Sequence, residues 1–154
     1  MGNSERYDIK NIDEAFGIVG DDTLKEVFYQ CVKDFSLNPD FSGIYTSKKE
    51  VKNSIRERVF DALNDKFKDM KSSITQLRKH GFEVSVIDFR LLRIPLKEEI
   101  LASDFSLENY SVVMQIFSSV EEEVSNLLVE MERMEKEKDA LLEKDVDKKE
   151  SKNQ

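Results

Sequence analysis

The residue types that most often carry catalysis or metal binding are scarce in this chain of 154 residues. It contains one histidine, His80, one cysteine, Cys31, and no tryptophan. Nucleophilic triads and zinc sites need several such side chains, and a helical di-iron site needs Glu three residues before His, where this chain has Leu77. No glycine-rich phosphate-binding motif occurs. We therefore predict a protein that is not an enzyme, with no catalytic residues, no cofactor and no metal.

Two acidic clusters have simpler explanations than cation binding. Glu121, Glu122 and Glu123 fit a solvated helix face, and Asp21 with Asp22 fits the N-terminus of a helix, where carboxylates cap backbone N–H groups. Cys31 lies on a predicted apolar helix face, which indicates a buried thiol. A single cysteine also excludes an internal disulfide and favours a reducing, cytoplasmic location.

Basic residues concentrate in the segment 46–97, which holds thirteen Lys and Arg against seven Asp and Glu. Its net charge is therefore +6 within a chain of net charge −8. This segment could contact phosphates, and it supplies the alternative function of a regulatory nucleic-acid-binding protein. The candidate contacts are Lys48, Lys49, Lys52, Arg56, Arg90 and Arg93. The other explanation is that these cations pair with the acidic C-terminal helix of the same chain.

The C-terminal third carries the strongest structural pattern. Over about 106–142, apolar residues recur at alternating steps of three and four, which is a heptad pattern interrupted only by Lys138. We predict that this seam and two flanking glutamates bind a partner helix. The predicted partner-binding residues are Phe117, Val120, Val124, Leu127, Met131, Met134, Glu130 and Glu135.

A second long helix is predicted between a capping box at Ser47 and Glu50 and a stop at Gly81. Basic residues and His80 occupy its flanking positions, namely Lys66, Lys71, Arg78 and His80. Acidic residues flank the C-terminal seam, namely Glu121, Glu123, Glu130, Glu135 and Glu137. Complementary flanks predict that the two long helices pack on each other, within one protomer or between two.

The remaining segments predict one shorter helix from about Asp21 to Asn38 and a strand at about 82–94, where apolar residues alternate on either side of a bulge. Its candidate strand partners are segments 6–12 and 41–46, or the same strand in a second copy of the chain. We predict a single helical domain over 1–142 and a disordered tail over 143–154. The fold class is mainly α with a minor β element.

These observations favour a non-enzymatic intracellular interaction or assembly protein that acts through its helical heptad seam. Four apolar residues of the C-terminal helix lie outside the seam and need a second neighbour: Val112, Met114, Ile116 and Leu128. We therefore expect self-association as a homodimer, with another protein as a further possible partner. No apolar run is long enough to cross a membrane, so no membrane partner is predicted.

Overall fold

The computed structural model describes the backbone of residues 6–152 and the side chains of residues 6–145. The chain is mainly helical, with a small two-stranded antiparallel sheet. Its elements in chain order are β1 (Tyr7–Ile9), α1 (Ile12–Val19), α2 (Asp22–Phe35), β2 (Gly43–Tyr45), α3 (Lys48–Lys79), α4 (Ser85–Leu91), α5 (Ile94–Ser103) and α6 (Leu107–Lys152).

Local sequence signals set several of the element boundaries. The side chains of Asp21 and Ser47 cap α2 and α3 by accepting hydrogen bonds from Leu24 N and Glu50 N, at 3.0 and 3.1 Å. Gly81 follows α3 with a φ of +87°, a left-handed conformation that costs glycine little. The caps of α2 and α3 and the glycine stop therefore agree with the sequence prediction.

The predicted strand at about 82–94 is wrong. Residues 85–91 form α4, and α5 follows after a turn of two residues. The apolar residues that seemed to alternate instead bury one helical face at steps of three and four, through Val84, Ile87, Leu91 and Ile94. Pro95 lies in the first turn of α5, where a missing backbone N–H removes no helical hydrogen bond.

The two strands do occur in the segments that were proposed as strand partners. They pair with each other, with Tyr7 opposite Tyr45 and Ile9 opposite Gly43. The sheet therefore brings the segment before α1 against the segment before α3.

The long helices α3 and α6 run parallel. Lys66 Nζ lies 3.0 Å from a Glu121 carboxylate oxygen, and His80 Nε2 lies 3.3 Å from a Glu135 carboxylate oxygen. Each pair joins residues 55 positions apart in sequence, so moving two heptads along α3 moves two heptads along α6. These two contacts therefore define both the direction and the register of this helix pair.

The α4–α5 segment returns antiparallel to both long helices. Asp88 of α4 accepts from Lys71 and Arg78 near the end of α3, whereas the Ala102 carbonyl of α5 accepts from Arg56 near the start of α3. Arg90 of α4 also pairs with Glu123 of α6. These contacts make α3, α4–α5 and α6 the three mutually packed columns of the fold, and α2 packs beside α3 and α6.

The core is continuous through these columns and contains residues from every helix. The C-terminal helix is helical to Lys152, ten residues beyond its predicted end at 142. This helix covers most of the segment for which disorder is predicted, and residues 153–154 lie outside the described residues. The division into a domain over 1–142 and a disordered tail over 143–154 stays a prediction.

Among the described side chains, Glu98 is the one partly buried carboxylate with a buried oxygen that accepts no hydrogen bond. Its Oε1 is shielded from solvent, and burial raises the pKa of the group. Glu98 lies between the buried residues Ile94 and Leu101 on the inner face of α5, where the helical spacing predicts an apolar side chain. The carboxylate is therefore a local cost to folding at neutral pH.

We expect Glu98→Gln to raise the free energy of unfolding at neutral pH by about 1 kcal/mol. The pKa is higher in the folded chain than in the unfolded one, so the contribution of Glu98 to stability is greatest below the unfolded-state pKa and is lost as pH rises through the folded-state pKa. The stabilisation by Glu98→Gln should therefore be smaller at acidic pH. Urea unfolding of both proteins at neutral and at acidic pH measures the difference.

Glu99→Gln is the matched control, because Glu99 is the next residue on α5 and is exposed. An equal stabilisation by both substitutions at neutral pH would show that net charge, rather than the burial of Glu98, is responsible.

Candidate interaction surface

The seam predicted to bind a partner is mostly buried within the chain itself. Phe117 and Val120 are fully buried, Val124 and Met131 nearly so, and Leu127 is half-buried against the same core. Met134 is the most exposed of the seam residues, at about half of its surface, and it lies where α6 passes the end of α3. The seam up to Met131 is therefore an internal packing surface, and it is closed to an outside helix in this conformation.

The charged flanks of the seam are also used within the chain. Glu135 faces His80, and Glu130 and Glu137 approach Arg133 of the same helix at 4.0 and 2.8 Å. On α3, Lys66 reaches the acidic flank of α6, but Lys71 and Arg78 bind Asp88 of α4 instead. The predicted contacts between the flanks of the two long helices therefore form at two pairs, whereas the other two basic residues of α3 bind α4.

The six candidate nucleic-acid contacts do not form one cluster. Lys52 pairs with Asp21 at 2.9 Å, Arg56 lies over the Phe105 ring, and Arg90 pairs with Glu123. Among the described residues, the side chains of Lys48, Lys49 and Arg93 have no partner. The register of α3 with α4–α5 places Arg93 beside residue 66, so Lys48 and Arg93 are about 27 Å apart along the fold.

An exposed apolar surface runs along α4 and α5, and sequence reasoning missed it. Phe89 is 72% exposed, and Val86 and Leu96 are each 62% exposed. Leu92 and Ile100 are about half exposed. We call these five residues the α4–α5 ridge. Their spacing of three or four residues would have indicated one face of a helix, had the segment been assigned as helix.

The ridge lies opposite a buried face. Ile87, Leu91, Ile94 and Leu101 of the same two helices are buried against the long helices. The α4–α5 segment is therefore apolar on both sides, whereas a helix at the surface of a monomer is normally apolar on one. Monomeric proteins seldom leave such a contiguous apolar patch open to water.

A basic groove adjoins the ridge between α4–α5 and α6. Its walls include Arg90, Arg93 and Lys97, and it encloses about 390 Å³. Val112 and Ile116 of α6 line it with Gln115 and Ser119. Two of the apolar residues that lay outside the heptad seam therefore face a groove whose other wall is positively charged.

The end of α6 is also uncovered. The register of the long helices aligns Lys79, the last residue of α3, with Met134, and every residue from 132 to 145 is exposed. Leu141 and Leu142 are among the exposed large apolar residues. We call the segment 135–152 the α6 tip.

The described residues contain no group of three or more His, Cys, Asp or Glu side chains that could hold a metal ion. Cys31 is buried, and its burial raises the thiol pKa to about 11, which leaves little reactive thiolate at neutral pH. Tyr110 is buried beside it and donates a hydrogen bond of 2.8 Å to Asp34, and burial raises the pKa of the Tyr110 hydroxyl. Both groups serve packing in the core.

Comparisons with known proteins leave the chain without an assigned family. It matches no protein-family model, no curated protein and no solved structure. Within the described part of the chain, none of the helices has an apolar stretch long enough to cross a membrane.

We expect the pair of Lys66 and Glu121 to show coupling in a double-mutant cycle. Lys66→Glu and Glu121→Lys should each destabilise the fold, and the double variant should recover about 0.2–1 kcal/mol, because the swapped pair can form again. High salt should reduce the recovery, since exposed charges are screened. Chemical unfolding of the four proteins measures these values.

The combination of Lys66→Glu with Glu130→Lys is the control, because Glu130 approaches Arg133 rather than α3. It should show no recovery. Purely additive losses for Lys66 and Glu121 at low salt would contradict the register of the two long helices.

Proposed function

We propose that the protein is a non-enzymatic intracellular interaction and assembly protein that recognises its partner helix against helix and associates with itself as a homodimer. The observation that supports this proposal is the α4–α5 ridge. A cytoplasmic location is part of the proposal, supported by the single cysteine and its burial as a free thiol.

The energetic basis is the burial of apolar surface. Full burial of one large apolar side chain contributes about 1.5–3 kcal/mol, and the ridge offers five that are about half exposed or more. Association entropy and side-chain ordering oppose that gain, and several ridge residues must therefore be buried together to give a stable complex. The helical spacing of the ridge places them on one face, where a single helix can cover them.

The recognition mechanism differs from the one that the heptad pattern suggested. A partner that used Phe117, Val120 or Val124 would have to displace the chain's own helices, because these residues are buried. The ridge and the α6 tip require no such displacement. We therefore assign the contact with a partner to these two surfaces, and we assign the seam up to Met131 to the fold of the protomer.

Nucleic-acid binding is the second candidate function, and it has less support. Three of its six proposed contacts are engaged within the chain, and Arg93 lies far from the remaining two, Lys48 and Lys49. Phosphate contacts would give binding that falls steeply with salt, whereas apolar association through the ridge would not. Titration of a labelled oligonucleotide at low and high salt separates the two.

We expect the wild-type chain to have a dimeric mass at tens of micromolar by light scattering, twice the monomer mass of 17.9 kDa. Replacing Phe89→Gln and Leu96→Gln together should shift it to the monomeric mass, because the ridge loses its two most exposed bulky side chains. The thermal midpoint at low concentration should change little, since both side chains are exposed in the protomer.

Ile44→Gln provides the control. Ile44 is as exposed as the ridge residues but lies on β2. It should leave the dimer intact. A wild-type chain that is strictly monomeric at this concentration would contradict the proposed self-assembly, as would a ridge variant that stays dimeric.

A further inference from the structure

We propose that the ridge and the basic groove of one protomer receive the α6 tip of a second copy, and that the second copy receives the first tip in return. The inference rests on the proposed function and names its partner segment. Each protomer would then contribute one docking surface and one docking helix. The complex is closed, because no ridge or tip is left over.

The dimensions of the two surfaces agree. The α6 tip spans 18 residues, which is about 27 Å of helix, and the ridge from Val86 to Ile100 spans about 21 Å. The tip is long enough to cover the whole ridge. Both surfaces are open in the same chain, and the described part of the protomer has no element that covers either of them.

The charges also agree. Arg93 and Lys97 line the basic groove, and neither side chain has an intramolecular partner in the described residues. The tip segment 137–145 carries four carboxylates against two lysines, around Leu141 and Leu142. Docking of these leucines on the ridge would bring the carboxylates of the tip beside the unpaired cations of the groove.

The direction of the helices permits the exchange. The pair of Arg90 and Glu123 places Val86 beside α6 near residue 127, so the ridge begins close to the point where the tip leaves α3. A twofold axis perpendicular to α6, near Met131 and Met134, would set the two copies of α6 antiparallel. Each tip would then run back over the other protomer, along the outer side of its α4–α5 ridge.

Two simpler homodimers are less compatible with the charges. An antiparallel pair of identical helices sets each flank beside the same flank of its partner. If two ridges packed in this way, Arg90 would therefore lie near Lys97 of the second copy, and the two Arg93 residues would meet. If two α6 helices packed in parallel, Glu130 would face Glu135 of the second copy. Tip exchange avoids the approach of like-charged Arg and Lys side chains, and it leaves the buried seam of α6 in place.

Complementation between two variants tests the exchange. The ridge variant is Phe89→Gln with Leu96→Gln, and the tip variant is Leu141→Gln with Leu142→Gln. Each alone should be monomeric by light scattering, because both contacts of its homodimer are damaged. In an equimolar mixture, the intact tip of the ridge variant can dock on the intact ridge of the tip variant, so a mixed dimer should form. One contact is intact in that dimer, so it should bind more weakly than wild type.

A charge reversal provides the second measurement, and it leaves the apolar residues in place. Arg93→Glu with Lys97→Glu should raise the dimer dissociation constant by about three- to tenfold at low salt. Adding Asp145→Lys should restore part of the affinity, because the register brings Asp145 of the tip level with residue 93 of the second copy. Circular dichroism and the thermal midpoint of every variant confirm that the protomer is folded.

The outcomes separate the inference from the proposed function. A tip variant that stays dimeric while the ridge variant is monomeric would overturn the exchange and leave ridge-mediated assembly standing. Two monomeric variants that form no mixed dimer, even at the highest concentration that keeps wild type dimeric, would also overturn it. A monomeric wild-type chain would overturn both proposals.

Discussion

The parallel pairing of α3 and α6 is the constraint on which the rest of the fold depends. Two parallel helices cannot be joined by a tight turn, because the chain must first travel back along the whole pair. The register set by Lys66 with Glu121 makes that distance about 27 residues of helix, or about 40 Å. The connecting segment, residues 80–106, also has 27 residues. A mainly helical segment is short enough to match this distance, whereas a fully extended one would be about twice as long as needed. The separation of its two ends therefore favours helix over extended strand in this segment.

This constraint explains which parts of the fold could be predicted from the sequence. Signals that act within one turn of helix were reliable: Asp21 and Ser47 cap the helices expected of them, and Gly81 ends α3. The strand at 82–94 was wrong because its short apolar run fits both periods over a few residues, and only the continuation through Ile94 and Leu101 favours the helix. The required return distance follows from the parallel direction of the long helices, which the sequence pattern left open.

The candidate surface was harder to predict than the fold for the same reason. The heptad pattern identified Phe117, Val120 and Val124 as packing residues, but a pattern on one helix does not specify whether its neighbour belongs to the same chain. Asp88 illustrates the problem: it accepts from Lys71 and Arg78, two cations whose expected partners were on α6. Once α4 is known to lie beside the end of α3, these pairs follow, and the ridge appears on the opposite face of the same segment.

The two faces of α4–α5 have different physical roles. The inner face stabilises the protomer, and its residues cannot change without leaving a cavity or burying a polar group. Glu98 already lowers the stability that this face contributes, since one of its carboxylate oxygens is buried without a hydrogen bond. The outer face contributes little to the protomer, and substituting Phe89, Val86 or Leu96 with polar residues would improve hydration without loss of packing. Large apolar side chains at these positions therefore have no explanation in the stability of the single chain, and burial against a second helix supplies one.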